Sequence, residues 1–389
     1  LFAQHKQKRF YFSVMKKLSL FVLLAALYSC QAISILQNQK ITLASDKTTF
    51  DRSQKLLYIP AQIHQKNSQL VFDTGAMFSA VFSADSLYPK ELERAISFGT
   101  VWGADHKKQP QKLVVLPVKC SLFESENKVF AAVNIPQSLC TKSENRLRGV
   151  LGMDLFFHQE KVLSLSFSSG SIQLLNSADT AKTVGEEGYV LLPSKCKRNA
   201  LFVSGMVENQ DFWFKLDSGF EGTMAVPYSL KNNFQNRLKT AYEGSAFQTA
   251  MGRTQGREVF YNKMPFILGE FTNRPQCVES SSIKSPLLGI RFMRGFDWLF
   301  DFKNKKIYAK RNALQIPENF TNLYPYQVEA SDKLRISLKA IKAKSFRLDD
   351  EIVAVNGQKV TAENRCALQK LLNATPDWGQ LELVVAGSN

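Results

Sequence analysis

Leu70-Val71-Phe72-Asp73-Thr74-Gly75-Ala76 and Phe214-Lys215-Leu216-Asp217-Ser218-Gly219-Phe220 are two versions of one phrase. Each runs from an apolar, strand-like stretch into an Asp, a hydroxyl residue and a glycine. Each also follows a strand and a polar turn, over residues 61–68 and 204–211. Farther on, Gly149-Val150-Leu151-Gly152-Met153 is answered by Pro286-Leu287-Leu288-Gly289-Ile290. Both are trailed by a hairpin, turning at Ser169-Gly170 and at Lys303-Asn304. A lone Asp-[Thr/Ser]-Gly is an ordinary turn, because Asp and Gly favour turns. Two copies in the same strand context, with a second landmark recurring at nearly the same interval, predict a duplicated β-rich lobe.

The rest of the chain is consistent with a globular protein. It has 389 residues, 44% hydrophobic and 22% charged, which excludes collagen, coiled coil and wholesale disorder. Lys plus Arg outnumber Asp plus Glu by 50 to 34, a formal charge of +16. Lys6, Lys8, Arg9, Lys16 and Lys17 supply five of these, and the other +11 is spread without a basic arm. That distribution points to attraction toward an anionic surface and away from nucleic acid.

From Met15 the chain reads Met-Lys-Lys and then an apolar run, Leu18 to Tyr28. The run is too short for a permanent span and suits a cleavable export signal, with residues 1–14 upstream of the true start. Leu27-Tyr28-Ser29-Cys30 resembles a bacterial lipobox, which would lipidate Cys30; the alternative is a plain secretory signal cut near Ala32. Among the other five cysteines, Cys120 with Cys140 is the first pair to test as a disulfide. No C-x-x-C occurs, and His64, His106 and His158 have no second ligand nearby in sequence, so no metal site is expected. There is no G-x-S-x-G elbow, P-loop or dinucleotide fingerprint.

The two Asp-containing phrases resemble the active-site loops of aspartic proteases. The order of landmarks is similar to exported bacterial retropepsin-like proteins with a C-terminal PDZ domain. The resemblance implies an endopeptidase acting on a polypeptide substrate, with Asp73 and Asp217 as the catalytic pair and no cofactor. Two carboxylates about 3 Å apart cannot both ionise easily, so they share a proton and can act as base and acid on a water between them. Gly75 and Gly219 would allow tight turns beside the carboxylates. Thr74 and Ser218 would bond across to the opposite loop, while Gly152 and Gly289 would lie where a strand passes beneath. Both phrases sit on one chain, so monomeric action is implied.

Flap hairpins are expected at residues 98–103 and 251–256, with Trp102, Gly103 and Gly252 as substrate contacts. Phe220 stands where a small residue usually follows, positioned to crowd the pair or line a pocket. Arg291 replaces the acid of the equivalent Asp154. Neither Ala76 nor Phe220 offers a hydroxyl to the carboxylates, which favours a mildly acidic to neutral optimum.

Beyond Arg311, Pro317 and Pro325 mark a linker and Leu334-Arg-Ile-Ser-Leu alternates like a strand. The stretch from Phe346 to Gln358 resembles a PDZ signature with Asp349 in place of its usual Gly. Asn356-Gly357 is a hairpin signal, residues 361–372 read as a helix and 381–385 as a closing strand. Such a domain would take a peptide C-terminus.

The expectation is a mainly β protein: a signal segment (1–32), two duplicated acid-protease-like β-barrel lobes (40–185 and 186–314) and a small α+β PDZ-like domain (318–388). It would lie in the periplasm or on the outer membrane of a Gram-negative bacterium. The competing reading is a non-catalytic peptide-binding cell-envelope protein. A lipid- or glycan-binding surface protein would be favoured if the two aspartates lay far apart.

Overall fold

The computed structural model describes residues 34–44, 47–82, 89–103, 108–134, 140, 148–157, 160–176, 183–197, 199–228, 234, 239–244, 248–249, 252–321 and 323–387. The export signal, Cys30, His106 and His158 lie outside them. The protein is mainly β, with few and short helices. Among the described residues no helix is long and apolar enough to cross a membrane.

Alternation drives the strands. Tyr58–Ile63 and Ala200–Val207 bury every second side chain, the period of a sheet with one face on the core. Each turns back through a polar loop into the strand that leads to an aspartate, Lys66–Phe72 just before Asp73 or Gln210–Asp217. His64 and Gln65 both take positive φ in the first of these turns.

The repeated landmarks meet through the same pairing in both halves. Lys66–Phe72 runs parallel to Gly149–Leu151, which pairs antiparallel with Ala80–Phe82, itself parallel to Phe123–Val133. Gln210–Asp217 runs parallel to Leu287–Gly289, which pairs antiparallel with Met224–Pro227, itself parallel to Cys277–Ser280. Both trailing hairpins form where expected, Lys161–Ser166 with Ser171–Asn176 and Phe296–Asp301 with Lys306–Arg311. They then pair with each other, Val162 opposite Asp301 through Ser166 opposite Asp297. One six-stranded sheet therefore joins the halves.

The main core packs on that junction. Phe72, next to Asp73, meets Phe156 edge-on at 6.1 Å; Phe156 stacks on Phe302 at 5.9 Å, and the line continues through Phe300 to Trp298. Trp298 is fully buried, its indole N–H donating to the Met293 carbonyl. Burying each large aromatic contributes roughly 2 kcal/mol, so the loop bearing Asp73 starts from a rigid foundation.

Two expectations are corrected in the C-terminal region. The disulfide joins Cys140 to Cys366, and Cys120 is a free thiol. Spacing favoured the nearer cysteine, but chain folding brings the helix Arg365–Ala374 to residue 140.

The second correction concerns the PDZ-like peptide site. Tyr326–Ala330 pairs with Leu334–Ala340 and forms the outer strand of its sheet. Its free edge is already occupied. The Val328 N–H donates to Asn373 Oδ1 at 2.7 Å, and the Val328 carbonyl accepts from Asn373 Nδ2 at 2.9 Å and from Gln369 at 3.4 Å. These helix side chains take the Val328 backbone groups that a peptide strand added at that residue would use. Leu334–Ala340 also continues the sheet of the second half, with Gly244 opposite Leu338.

Local signals in this region were legible. Asn356 and Gly357 both take positive φ in the predicted hairpin, Asp349 does so where glycine was expected, and the helix and closing strand form as Arg365–Ala374 and Leu383–Val385.

Candidate functional site

Asp73 and Asp217 come together. Their loops are matched turns: Ala76 N–H donates to the Asp73 carbonyl at 3.2 Å, and Phe220 N–H to the Asp217 carbonyl at 3.1 Å. Thr74 and Ser218, both fully buried, lock the loops to each other. The Thr74 hydroxyl donates to the Leu216 carbonyl and accepts from Ser218 N–H, both at 3.0 Å. The Ser218 hydroxyl donates to the Phe72 carbonyl at 2.7 Å and accepts from Thr74 N–H at 3.0 Å. The cross-bonding expected of these two residues is therefore present.

Gly75 and Gly219 are needed for close approach. A Cβ on Gly75 would lie 2.3 Å from Asp217 Cγ, and one on Gly219 2.4 Å from Asp73 Oδ2. Each glycine sits under the opposite carboxylate. Gly152 and Gly289 fill the equivalent places below. A Cβ there would collide with the Phe78 carbonyl carbon at 2.7 Å, or with the Gly222 carbonyl oxygen at 2.3 Å.

The pair is electrostatically unequal. Asp73 Oδ1 accepts from Gly75 N–H at 2.7 Å and Gly219 N–H at 3.2 Å. Burial, reinforced by the charge of Asp217 and by a hydrogen bond with it, pushes the Asp73 carboxyl up to about 7. The Lys215 ammonium and the Gly75 amide act against that rise. Lys215 Nζ lies 3.3 Å from Asp217 Oδ2 and 3.1 Å from the Gly75 carbonyl oxygen, bridging the two loops.

Sequence reasoning missed Lys215. The available signal was strand periodicity: residues 215 and 217 are two apart on one strand and so project to the same face.

Other expected residues are placed as follows. The Phe220 ring packs over Gly222 and Gly289, joining Ala225, Ile283 and Leu287. Asp154 accepts from the amide and hydroxyl of Ser79 and pairs with buried Lys128. Its counterpart Arg291 is an exposed partner of Glu221. Strand pairs form at or near both stretches, Ile96–Trp102 against Lys108–Cys120 and, three residues earlier than expected, Gln248–Thr249 against Gly252–Arg253. Gly103 is buried, whereas the Trp102 side chain lies outside the described residues. His64 makes a 3.3 Å ion-pair contact with Glu91. Among the described residues no group of His, Cys, Asp and Glu could hold a metal ion.

No protein-family model matches this chain, and no curated protein matches it. A similar solved structure is conglutin gamma, described as a unique basic 7S globulin from lupine seeds. It is 11% identical at a TM-score of 0.40, with 71% of this chain and 96% of that one covered. The resemblance to exported retropepsin-like proteases with a PDZ domain is thus without support in the comparisons. The assignments to aspartic endopeptidase, hydrolase, proteolysis, lipoprotein and periplasm are withdrawn with it. What the fold assembles is a carboxylate pair with a third charge, Lys215, standing against Asp217.

Proposed function

We propose that this chain is a non-hydrolytic peptide-binding protein of the cell envelope, with the Asp73–Asp217 pair at the floor of its groove. The observation that carries this reading is the asymmetry of the pair. One half-buried carboxyl has its proton affinity raised to about 7, and it stands beside a buried second carboxylate held by an ammonium. Together they offer one proton donor and one acceptor side by side, which suits the carbonyl and N–H of an extended peptide. The hairpins at residues 96–120 and 248–253 would form the walls. The two halves, 40–185 and 186–314, are read as duplicated acid-protease-like β-barrel lobes followed by a small α+β unit. Their matching strand pairing supports this. A single copy would suffice, and envelope placement rests on residues 15–32 of the sequence.

The test is binding of a fluorescent library of unstructured peptides, with mass analysis of the peptides afterwards. Binding should weaken at least about tenfold in Asp73→Ala and Asp217→Ala, and again in wild type between about pH 5.5 and about pH 8.5, as Asp73 loses its proton. Intact peptides are expected throughout. Cleavage products from wild type that vanish in both variants would overturn the non-hydrolytic reading, and equal affinity in all three proteins would overturn the site.

A further inference from the structure

We infer that Lys215 is a positioning residue that decides where the proton of the pair resides, keeping Asp217 ionised and leaving the proton on Asp73. Lys215 lies two residues before Asp217 on the strand Gln210–Asp217, so their side chains share a face. Its ammonium reaches Asp217 Oδ2 at 3.3 Å and is held from the other side by the Gly75 carbonyl at 3.1 Å. That carbonyl belongs to the opposite loop, so Lys215 keeps its position only while the two halves are interlocked.

The competing influence is a pair of amides. Gly75 and Gly219 both donate to Asp73 Oδ1, which favours charge on Asp73. These are neutral donors, whereas Lys215 carries a full charge, and bonds between two ionised partners are the stronger kind. Both amides also converge on one oxygen, which leaves Asp73 Oδ2 free of them to carry the proton. Among the described residues, the charged groups that act on Asp73 are Asp217 and Lys215. The fold is therefore symmetric in its loops and asymmetric in its charge, because position 215 is Lys and its equivalent in the first half is Val71. For the groove proposed above, the consequence is polarity: a peptide carbonyl would sit over Asp73 and an N–H over Asp217. Only this consequence rests on that reading.

The experiment is a carboxyl-carbon NMR titration of ¹³C-Asp-labelled, ligand-free protein. Wild type should show an aspartate titrating near pH 7. It should be absent in Asp73→Asn and remain, at lower pH, in Asp217→Asn, where the neighbouring charge is gone. In Lys215→Met and Lys215→Gln the Asp217 carboxyl resonance should move through the near-neutral titration as well, since the cation favouring its charge is lost while the two amides still favour charge on Asp73. Lys215→Arg should restore the wild-type pattern. The Gln variant keeps a donor for the Gly75 carbonyl without charge, so it separates the electrostatic role from the structural one, and near-UV circular dichroism verifies its fold. A near-neutral titration that survives in Asp73→Asn and disappears in Asp217→Asn would overturn the assignment. So would a titration still confined to Asp73 in folded Lys215→Gln. The readout needs no peptide, so absent peptide binding with this titration intact would sink the groove alone, and a titration pattern indifferent to Lys215 would sink the role of Lys215 alone.

Discussion

Replacing Glu258 with Gln should remove much of the protein's loss of stability as pH rises from about 4.5 to about 7. Glu258 is fully buried on the strand Gly256–Tyr261. Its Oε1 accepts the hydroxyls of Ser280 and Ser282, both at 2.9 Å, while Oε2 has no hydrogen-bond partner. Burial pushes this carboxyl up to about 7 from 4.5, with the two serines opposing the rise. The sign follows from proton counting. Between those values the folded state holds a proton that the unfolded state has released, so raising the pH favours unfolding. At about 1.36 kcal/mol per unit, a difference of roughly 2.5 units comes to about 3 kcal/mol, fully lost above pH 7. Gln cannot ionise and keeps an oxygen for the serine hydroxyls. Asp73 titrates in the same window in both proteins, so the difference between them isolates Glu258. Urea unfolding, followed by tryptophan fluorescence from about pH 4.5 to about pH 8.5, measures that difference. The two stability curves should converge toward acid and separate by about 3 kcal/mol in favour of the variant's slope. Parallel curves would refute the argument.

Three further outcomes follow from the same contacts. Gly75→Ala places a methyl 2.3 Å from Asp217 Cγ, so the loops must part; a loss of more than about 2 kcal/mol and at least tenfold weaker peptide binding are expected in unfolding and titration assays. Thr74→Val keeps the shape but leaves the buried Leu216 carbonyl and Ser218 N–H without partners, costing about 2–4 kcal/mol by urea unfolding. Cys366→Ala removes the tie to Cys140; about 2–5 kcal/mol should be lost under oxidising conditions and little under reducing ones, by paired melts of the two proteins.

The doubled phrase around Asp73 and Asp217 was legible in sequence because strands, turns and glycines are local signals. So were both trailing hairpins and the Asn356-Gly357 turn. Residues 361–372 and 381–385 also gave the helix and last strand to within a few positions. What sequence could not show was which distant groups meet. Cys140 chose Cys366 over Cys120 because chain folding, not spacing, sets the distance between sulfurs. The Val328 backbone is bonded by Asn373, forty-five residues away, which no local pattern announces. Lys215 looked like one polar residue in an alternating strand, and only the opposing loop, with its Gly75 carbonyl, turns it into the third charge of the site. The sequence by itself determined the two aspartate loops and the glycines that let them approach, since these depend on backbone conformation and steric size. The tertiary structure decided how charge is shared between them, since that depends on distances and burial which no local pattern encodes.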